Sequence, residues 1–415
     1  MNRAIILYKK LRTWGIKGVW DYFVRKFFNL KTRAFFLANA KLHPLTPKYG
    51  ITIVADFTLP TSLSKTVRDF AFALKKTGIP FQTFDLHPRT GLPVEDYDGI
   101  ITPVKEFRVL KYTHIIEMFS SPLPKSLPLE RMRIVFWEFT SGLMEYNPAI
   151  ADVKTIIAMS DFNFEVFKKI LPPEVSVRKI LYPFFSYSKE LPSIAATRRK
   201  YGIGENEFAV FFNFDYGSSF NRKNPDGSIK AFAKAFHDHK DARLVFKTKG
   251  ASEHKKEREN LCLLAKKLGI SDRVTMIDDY IPMQDVYGLT NACDVYLSLH
   301  RGEGFGLGIV EAMSLGKPVI VTNYSSPKEF CKEGNALLVA YKEVDVQESM
   351  RDHPCYISVK KWAEPDTDSA AAALSSLYNN KHIREKTGDS AKKFVTEYFS
   401  IDNFKKSIEN LLAGK

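Results

Sequence analysis

The chain has 415 residues, enough for two domains and an ample core. Hydrophobic residues make up 45% and charged residues 26%, a globular balance that excludes disordered and fibrous classes. Four cysteines without a CxxC pair argue against a structural zinc or a disulfide framework and for a reducing cytoplasm, while a net charge of +14 suits nucleic acid, an anionic membrane or a phosphorylated ligand.

The charge is concentrated at the start. Residues 1–36 hold nine Lys and Arg against one acid, Asp21, a local excess of +8. The spacing predicts two helical pieces over residues 3–30, broken near Gly15 and Gly18. In the second piece Ile16, Val19, Trp20, Phe23 and Phe27 share one face, and Lys17, Asp21, Arg25 and Lys26 lie off it. That is how helices at a membrane surface are built; docking on the chain's own domain is the plain alternative. No stretch approaches the roughly 20 apolar residues of a membrane span. Ala4–Tyr8 is too short for the apolar region of a signal peptide.

From residue 50 the pattern changes to strands alternating with helices. Strands are expected at Ile51–Ala55, Pro80–Phe84, Gly99–Thr102, Arg133–Trp137 and Lys154–Met159. The first helix covers Ser64–Lys76, with Val67, Phe70, Ala71 and Leu74 on one face. Residues 186–206 read as a linker. A second run follows, with strands at Phe208–Asn213, Ala242–Lys247, Val274–Ile277, Asp294–Ser298 and Pro318–Thr322. Helices are expected at Pro225–Phe236, Lys255–Leu268 and Gly306–Leu315, and a Lys-rich helical pair over residues 381–413. Apolar strands between helices imply parallel sheets covered on both faces. The expected architecture is two doubly wound α/β units joined by a linker, with a cleft between them.

The chemistry concentrates in Leu297–Pro318, LSLHRGEGFGLGIVEAMSLGKP. A buried strand ends near Ser298, a glycine-rich loop runs from Gly302 to Gly308, and a helix follows to about Leu315. Such a junction offers free backbone N–H groups and a helix N-terminus to a phosphate, and glycine lets the backbone approach a pyrophosphate closely. The loop fits neither the dinucleotide GxGxxG nor a Walker A sequence, which disfavours NAD binding and ATP hydrolysis. Glu303 and Glu311, eight residues apart, can point into one cleft. A carboxylate there accepts bidentately from vicinal hydroxyls. The plain alternatives are a helix cap at Glu303 and a solvated Glu311.

EGFGLGIVE followed by AMSLGKPVIVTNYSSPKEF resembles the retaining glycosyltransferases of family 4. Asn221-Arg222-Lys223-Asn224-Pro225 and LVFKTKG, with Lys247, extend the likeness, which covers about residues 205–400. The resemblance implies a GT-B fold: two Rossmann-like domains facing a cleft, here with a basic helical extension at the N-terminus. The divisions are then residues 1–45 for the extension, 46–188 for an acceptor domain, 189–380 for a donor domain and 381–415 for C-terminal helices crossing back to the N-terminal domain. It also implies a sugar transferred with retention of configuration from a nucleotide-diphosphate donor, with no metal and no other cofactor. Arg222 and Lys247 would hold the pyrophosphate, Glu303 the donor sugar and Glu311 the ribose. The N–H groups of Gly304, Phe305 and Gly306, beside Leu307, would contact phosphate or sugar oxygens.

Cations suit a pyrophosphate, as a fork from Arg222 and a point charge from Lys247. Lys223 and Lys249 are ambiguous neighbours among 61 Lys and Arg. Asp-x-Asp, a metal signature elsewhere, occurs at Asp96-Tyr97-Asp98 and Asp366-Thr367-Asp368. Neither follows a strand in the way that suits a metal–diphosphate site: the first pair precedes a strand and the second reads as a helix N-cap. The loop after the first strand, residues 57–65, lacks glycine; Ser62, Ser64 and Lys65 are left as side-chain contacts or a helix cap. Glu138, ending Phe136-Trp137-Glu138, is the candidate acceptor-side carboxylate, against a solvated strand end. His300 is either a sugar-pocket residue or a structural histidine. The expected partners are a nucleotide sugar, a glycan or lipid-linked acceptor in bacterial surface polysaccharide synthesis, and an anionic membrane at residues 1–36. Nucleic acid lacks a supporting motif. A nucleotide-sugar epimerase, a phosphorylase and a non-catalytic sugar-nucleotide-binding subunit are the rivals.

Overall fold

β-Branched and aromatic residues build two sheets in the computed structural model, which describes residues 34–38, 49–57, 61–86, 100, 110–112, 114–118, 130–185, 190–351 and 354–414. The first sheet contains β1 (Ile51–Ala55), β2 (Phe81–Asp85), β3 (His114–Met118), β4 (Glu130–Ile134), β5 (Thr155–Ala158) and β6 (Ser176–Lys179), in the order β2-β1-β3-β4-β5-β6. β1 pairs in parallel with β2 and β3, and β3 with β4. The crossover after β1 is the helix Ser62–Thr77. Thr61 caps it by accepting from the Ser64 N–H at 3.1 Å, and Gly78, at φ 75°, ends it. Val67, Phe70, Ala71 and Leu74 are buried on its inner face. The cap is thus Thr61 and not Ser62, Ser64 or Lys65; Lys65 pairs with Asp69 at 2.6 Å.

The second sheet contains β7 (Phe208–Asp215), β8 (Ala242–Lys249), β9 (Val274–Ile277), β10 (Val295–Ser298), β11 (Val319–Thr322) and β12 (Leu337–Val339), in the order β12-β11-β10-β7-β8-β9. β7 and β8 pair over eight residues, from Phe208 opposite Ala242 to Asp215 opposite Lys249. The chain lays down β7, β8 and β9 in one direction, returns to put β10 beside β7, and continues outward through β11 and β12. The strand order therefore reverses between β7 and β10. In doubly wound sheets, ligands bind at that reversal, beyond the carboxyl ends of the strands. A two-stranded antiparallel hairpin, β13 (Tyr341–Asp345) with β14 (Lys361–Pro365), is added after β12.

By contact density the chain falls into two compact units, residues 1–134 with 153–155, and residues 135–152 with 156–415. In the second unit the last helices, Lys381–Tyr398 and Ile401–Leu412, pack on residues 178–184. Leu181 N–H donates to Ser407 Oγ at 3.3 Å, Arg178 donates to the Gly414 carbonyl at 3.1 Å, and Phe184 meets Phe399 at 6.2 Å. Gly388, inside the first of these helices, lies against the turn after the Leu307–Ser314 helix; a Cβ there would stand 2.0 Å from the Gly316 carbonyl oxygen.

Several expected elements differ. β4 ends at Ile134 and leaves Phe136, Trp137 and Glu138 beyond the strand. β3 escapes an apolar pattern because it carries Glu117, fully buried and bound by Arg131 at 2.5 Å and Arg133 at 2.9 Å. The expected linker contains a helix, Ile194–Lys200, capped by Ser193 and carrying three basic residues in its last turn, where they suit the helix dipole. Asp366 is an N-cap, its carboxylate accepting from the N–H groups of Asp368 and Ser369. The helices expected over residues 3–30, and Asp96-Tyr97-Asp98, lie outside the described residues; of Gly99–Thr102 only Ile100 is described, in a turn. Among the described residues no helix is long and apolar enough to cross a membrane.

Candidate functional site

The loops that leave β7 and β10 meet at the strand-order reversal. After β7, Ser219 takes φ 67° and caps the single turn Phe220–Lys223. Asn224, also left-handed at φ 56°, ends that turn, caps the Pro225–Ala235 helix and donates to the Leu299 carbonyl at 2.8 Å. The two strained residues fix where Arg222 and Lys223 stand. Arg222 is 2% exposed. It donates to the Gly302 carbonyl at 2.8 Å and to the Ser218 carbonyl and hydroxyl at 2.9 Å each. Its guanidinium comes within 3.5 Å of Glu303 and 3.8 Å of Glu138.

Lys223 makes the shorter ion pair. Its Nζ is 2.5 Å from Glu303 Oε2. Burial pushes the Glu303 carboxyl upward, but the charges of Lys223 and Arg222 outweigh it and hold the pKa at about 2. Glu303 is thus an ionised acceptor in a largely water-free setting, joined to two cations. Glu138 belongs to the same cluster. Burial raises its pKa, Arg222 opposes that, the nearby charge of Glu303 adds to the rise, and Lys223 and, least of all, the Tyr356 hydroxyl pull it down.

The glycines of the loop answer mainly to protein atoms. A Cβ at Gly302 would lie 2.6 Å from the Phe139 ring and 3.0 Å from the Glu138 carbonyl oxygen. One at Gly304 would lie 3.2 Å from the Phe136 Cβ. At Gly308 it would lie 2.4 Å from the Tyr296 hydroxyl, which donates to Asn213 at 2.6 Å. Close packing of residues 136–139 thus requires small residues where the sequence suggested an approaching pyrophosphate. Gly306, at φ 101°, is the N-cap of the Leu307–Ser314 helix and supplies no capping side chain, so the first helical N–H groups at Leu307 and Gly308 point out of the helix without an internal acceptor. The Phe305 ring is buried, stacked on Tyr182 at 4.3 Å and edge-on to Phe399 at 5.9 Å. From the other side, Ser325 Oγ accepts from the Glu303 N–H at 2.9 Å and Ser326 donates to the Gly304 carbonyl at 2.7 Å.

The remaining candidates sit around this cluster. Glu311 lies inside the helix and accepts from the Tyr287 hydroxyl at 3.0 Å. His300 is fully buried, with Nδ1 3.2 Å from Ser298 Oγ and Nε2 3.2 Å from the Tyr324 carbonyl oxygen. Burial lowers its pKa to about 4, so the ring is neutral. Lys247 stands near the end of β8, paired in register with Asn213 of β7. Its Nζ donates to the Thr248 carbonyl. Burial lowers its pKa, against the opposing charges of Asp278 and Asp279.

Residues 193–351 match the family of glycosyl transferases group 1. That segment contains both loops of the reversal. The putative glycosyltransferase EpsD of Bacillus subtilis is 29% identical over 143 residues, 34% of this chain and 35% of that protein. The lipopolysaccharide glucosyltransferase WaaG of Escherichia coli is 30% identical over 197 residues, 47% of each chain. The chain thus spans less than half the length of these two relatives. Among solved structures, HepE of Anabaena in complex with UDP and glucose superposes with a TM-score of 0.62 at 16% identity, covering 89% of this chain and 100% of that one. WaaG superposes at 0.57 and 14% identity, covering 88% and 100%. These likenesses establish the fold, which is GT-B.

Arg222, Glu303 and Glu138, singled out in the sequence, are brought together. Lys223, set aside there as an ambiguous neighbour, holds Glu303 more closely than Arg222 does. Tyr356 was not foreseen. It lies beyond the group 1 segment, and no spacing in the sequence ties it to Glu138.

Proposed function

We propose that the chain is a retaining glycosyltransferase. It moves a hexose or deoxyhexose from a nucleotide-diphosphate sugar to a glycan or lipid-linked glycan acceptor, in bacterial surface polysaccharide synthesis. The observation that carries this reading is the largely enclosed Glu303 carboxylate, 14% exposed, flanked by Arg222 and Lys223 at the strand-order reversal of a group 1 segment. As the glycosidic bond breaks, charge develops on the departing diphosphate. Arg222, Lys223 and Lys247, with the unfilled N–H groups at the start of the Leu307–Ser314 helix, stabilise it without a metal or other cofactor. Ionised Glu303 accepts hydrogen bonds from the donor sugar, and Glu311 from the ribose. Glu138 faces the acceptor. The N–H groups of Gly304, Phe305 and Gly306 serve oxygens of the donor.

The group 1 match and the named relatives support this reading, and the UDP-sugar complexes of HepE support a nucleotide-sugar donor. The protein works in the cytoplasm at the inner face of the membrane, held by the basic residues 1–36 on anionic lipid, and does not use nucleic acid. The first test is a thermal-shift screen with UDP-, GDP- and dTDP-sugars, followed by nucleotide release in the presence of glycan acceptors. The anomeric signal of the product, compared with that of the donor by NMR, tests retention. Absence of both binding and release across the screen sinks the proposal. Co-sedimentation with phosphatidylglycerol vesicles, lost at high salt, tests the membrane contact.

A further inference from the structure

We propose that Arg301 is a positioning residue for Arg222: it ties the loop after β7 to the loop after β10 and to the β13–β14 hairpin, and so holds the Arg222 guanidinium beside Glu303. The inference rests on the transferase reading above, in which Arg222 meets the diphosphate. The Phe220–Lys223 turn does not hold itself in place. Ser219 and Asn224, one at each end, are left-handed residues with side chains, a conformation that persists only where the surroundings enforce it. Within the turn, the Ser219 and Phe220 carbonyls accept from the N–H groups of Lys223 and Asn224. The next carbonyl, of Asn221, would need an N–H from residue 225, which is a proline and has none. Arg301 supplies that donor, with Nη1 2.6 Å from the Asn221 carbonyl oxygen. Its backbone N–H takes the carbonyl after it, donating to Arg222 at 2.8 Å. Arg222 closes the loop of contacts by donating to the Gly302 carbonyl at 2.8 Å.

Arg301 is itself held from the hairpin. It is 7% exposed and forks onto Glu364 of β14, with Nε and Nη2 at 2.6 and 3.0 Å. Its guanidinium lies over the Trp362 ring at 5.1 Å, and its carbonyl accepts from the Ala363 N–H at 3.1 Å. Asn221 adds a second tie, donating to the Met350 carbonyl at 3.3 Å in the connection between β13 and β14. A guanidinium is planar, so gripping one edge with Glu364 fixes the direction in which Nη1 meets the Asn221 carbonyl. A lysine keeps the charge but offers one ammonium on a flexible stem, and cannot serve both partners at a set angle. Arg222 follows directly on the carbonyl that would be released, and a displacement of about 1 Å in a catalytic group costs as much as about 100-fold in rate.

The test is Arg301→Lys in the full chain, with the arginine Nε atoms labelled and the Arg222 and Arg243 resonances each assigned by loss in the corresponding lysine variant. The expected result is an Arg222 Nε–Hε resonance that is displaced and broadened, while that of Arg243, forked onto Glu207, stays in place. The melting temperature stays like that of the wild type, and kcat falls about tenfold, the magnitude of one hydrogen bond from a charged group. Made in Arg222→Ala, the same substitution lowers kcat no further, because residues that act as one unit are not additive. Glu364→Gln, which loosens the fork from the hairpin side, moves the Arg222 resonance in the same sense and decides the matter should Arg301→Lys fail to fold. An Arg222 resonance unmoved in a folded variant overturns the proposal, as does an equal fold-loss of kcat in the wild-type and Arg222→Ala backgrounds. The resonance needs no turnover, so an inactive wild type counts against the transferase reading alone.

Discussion

At Glu303 burial and charge oppose each other, and charge prevails. Its folded pKa of about 2 lies below the ordinary carboxylate value, so its contribution to stability is present above about pH 4.3 and is lost as pH falls toward 2. Glu303→Gln leaves Lys223 and Arg222 facing each other without their anion. Transfer should fall by about 100-fold or more, measured as initial rate of nucleotide release. His300 acts in a higher window. Its folded pKa of about 4 lies below the unfolded value of about 6.5. Its stability contribution is whole above pH 6.5 and declines between 6.5 and 4, by up to roughly 3 kcal/mol. Urea unfolding at pH 7 and pH 5 should show that loss, and His300→Gln should flatten it. Arg222 and Glu303 were legible in the sequence because a motif spacing carries them. Lys223 was not, since two adjacent cations look alike until a turn with two left-handed residues aims one at the carboxylate.

The elements were legible in proportion to how apolar and how local they are. β7 and β8 announce themselves as runs of buried Val, Phe and Leu, and Asp366 sits where a polar side chain can close the first turn of the helix after it. β3 was lost because the partners that neutralise Glu117, Arg131 and Arg133, belong to another strand. The β13–β14 hairpin was lost because its stability comes from Arg301, 60 residues back from Lys361. The glycine loop was found but its reason was half seen, since the atoms that crowd Gly302, Gly304 and Gly308 come from residues 136–139, Tyr296 and Asn213. Gly308→Ala should therefore cost about 1–3 kcal/mol in urea unfolding by pushing Tyr296 off Asn213, before any effect on a ligand is considered. Glu364→Gln, which weakens the fork on Arg301, should make the hairpin easier to cleave by limited proteolysis while leaving the sheets intact.

For the whole molecule, a ligand that binds only the folded state raises stability by mass action, about 2.7 kcal/mol at one hundred times its Kd. The nucleotide sugar that fits should thus raise the melting temperature in proportion to the logarithm of its concentration, and Arg222→Ala should abolish that rise. The two-domain class was readable from the repeated strand–helix alternation, whereas the reversal of strand order, which makes two distant loops neighbours, follows only from how the strands are laid side by side. The contact of Gly388 with Gly316 works over the same range. A glycine inside an 18-residue helix gives up about 1 kcal/mol relative to alanine. Here the missing methyl lets one backbone seat directly on another, like a tooth in a notch. The penultimate helix can neither roll nor slide without unseating the turn that terminates the Leu307–Ser314 helix, so the last helices are keyed to the element that carries Glu311.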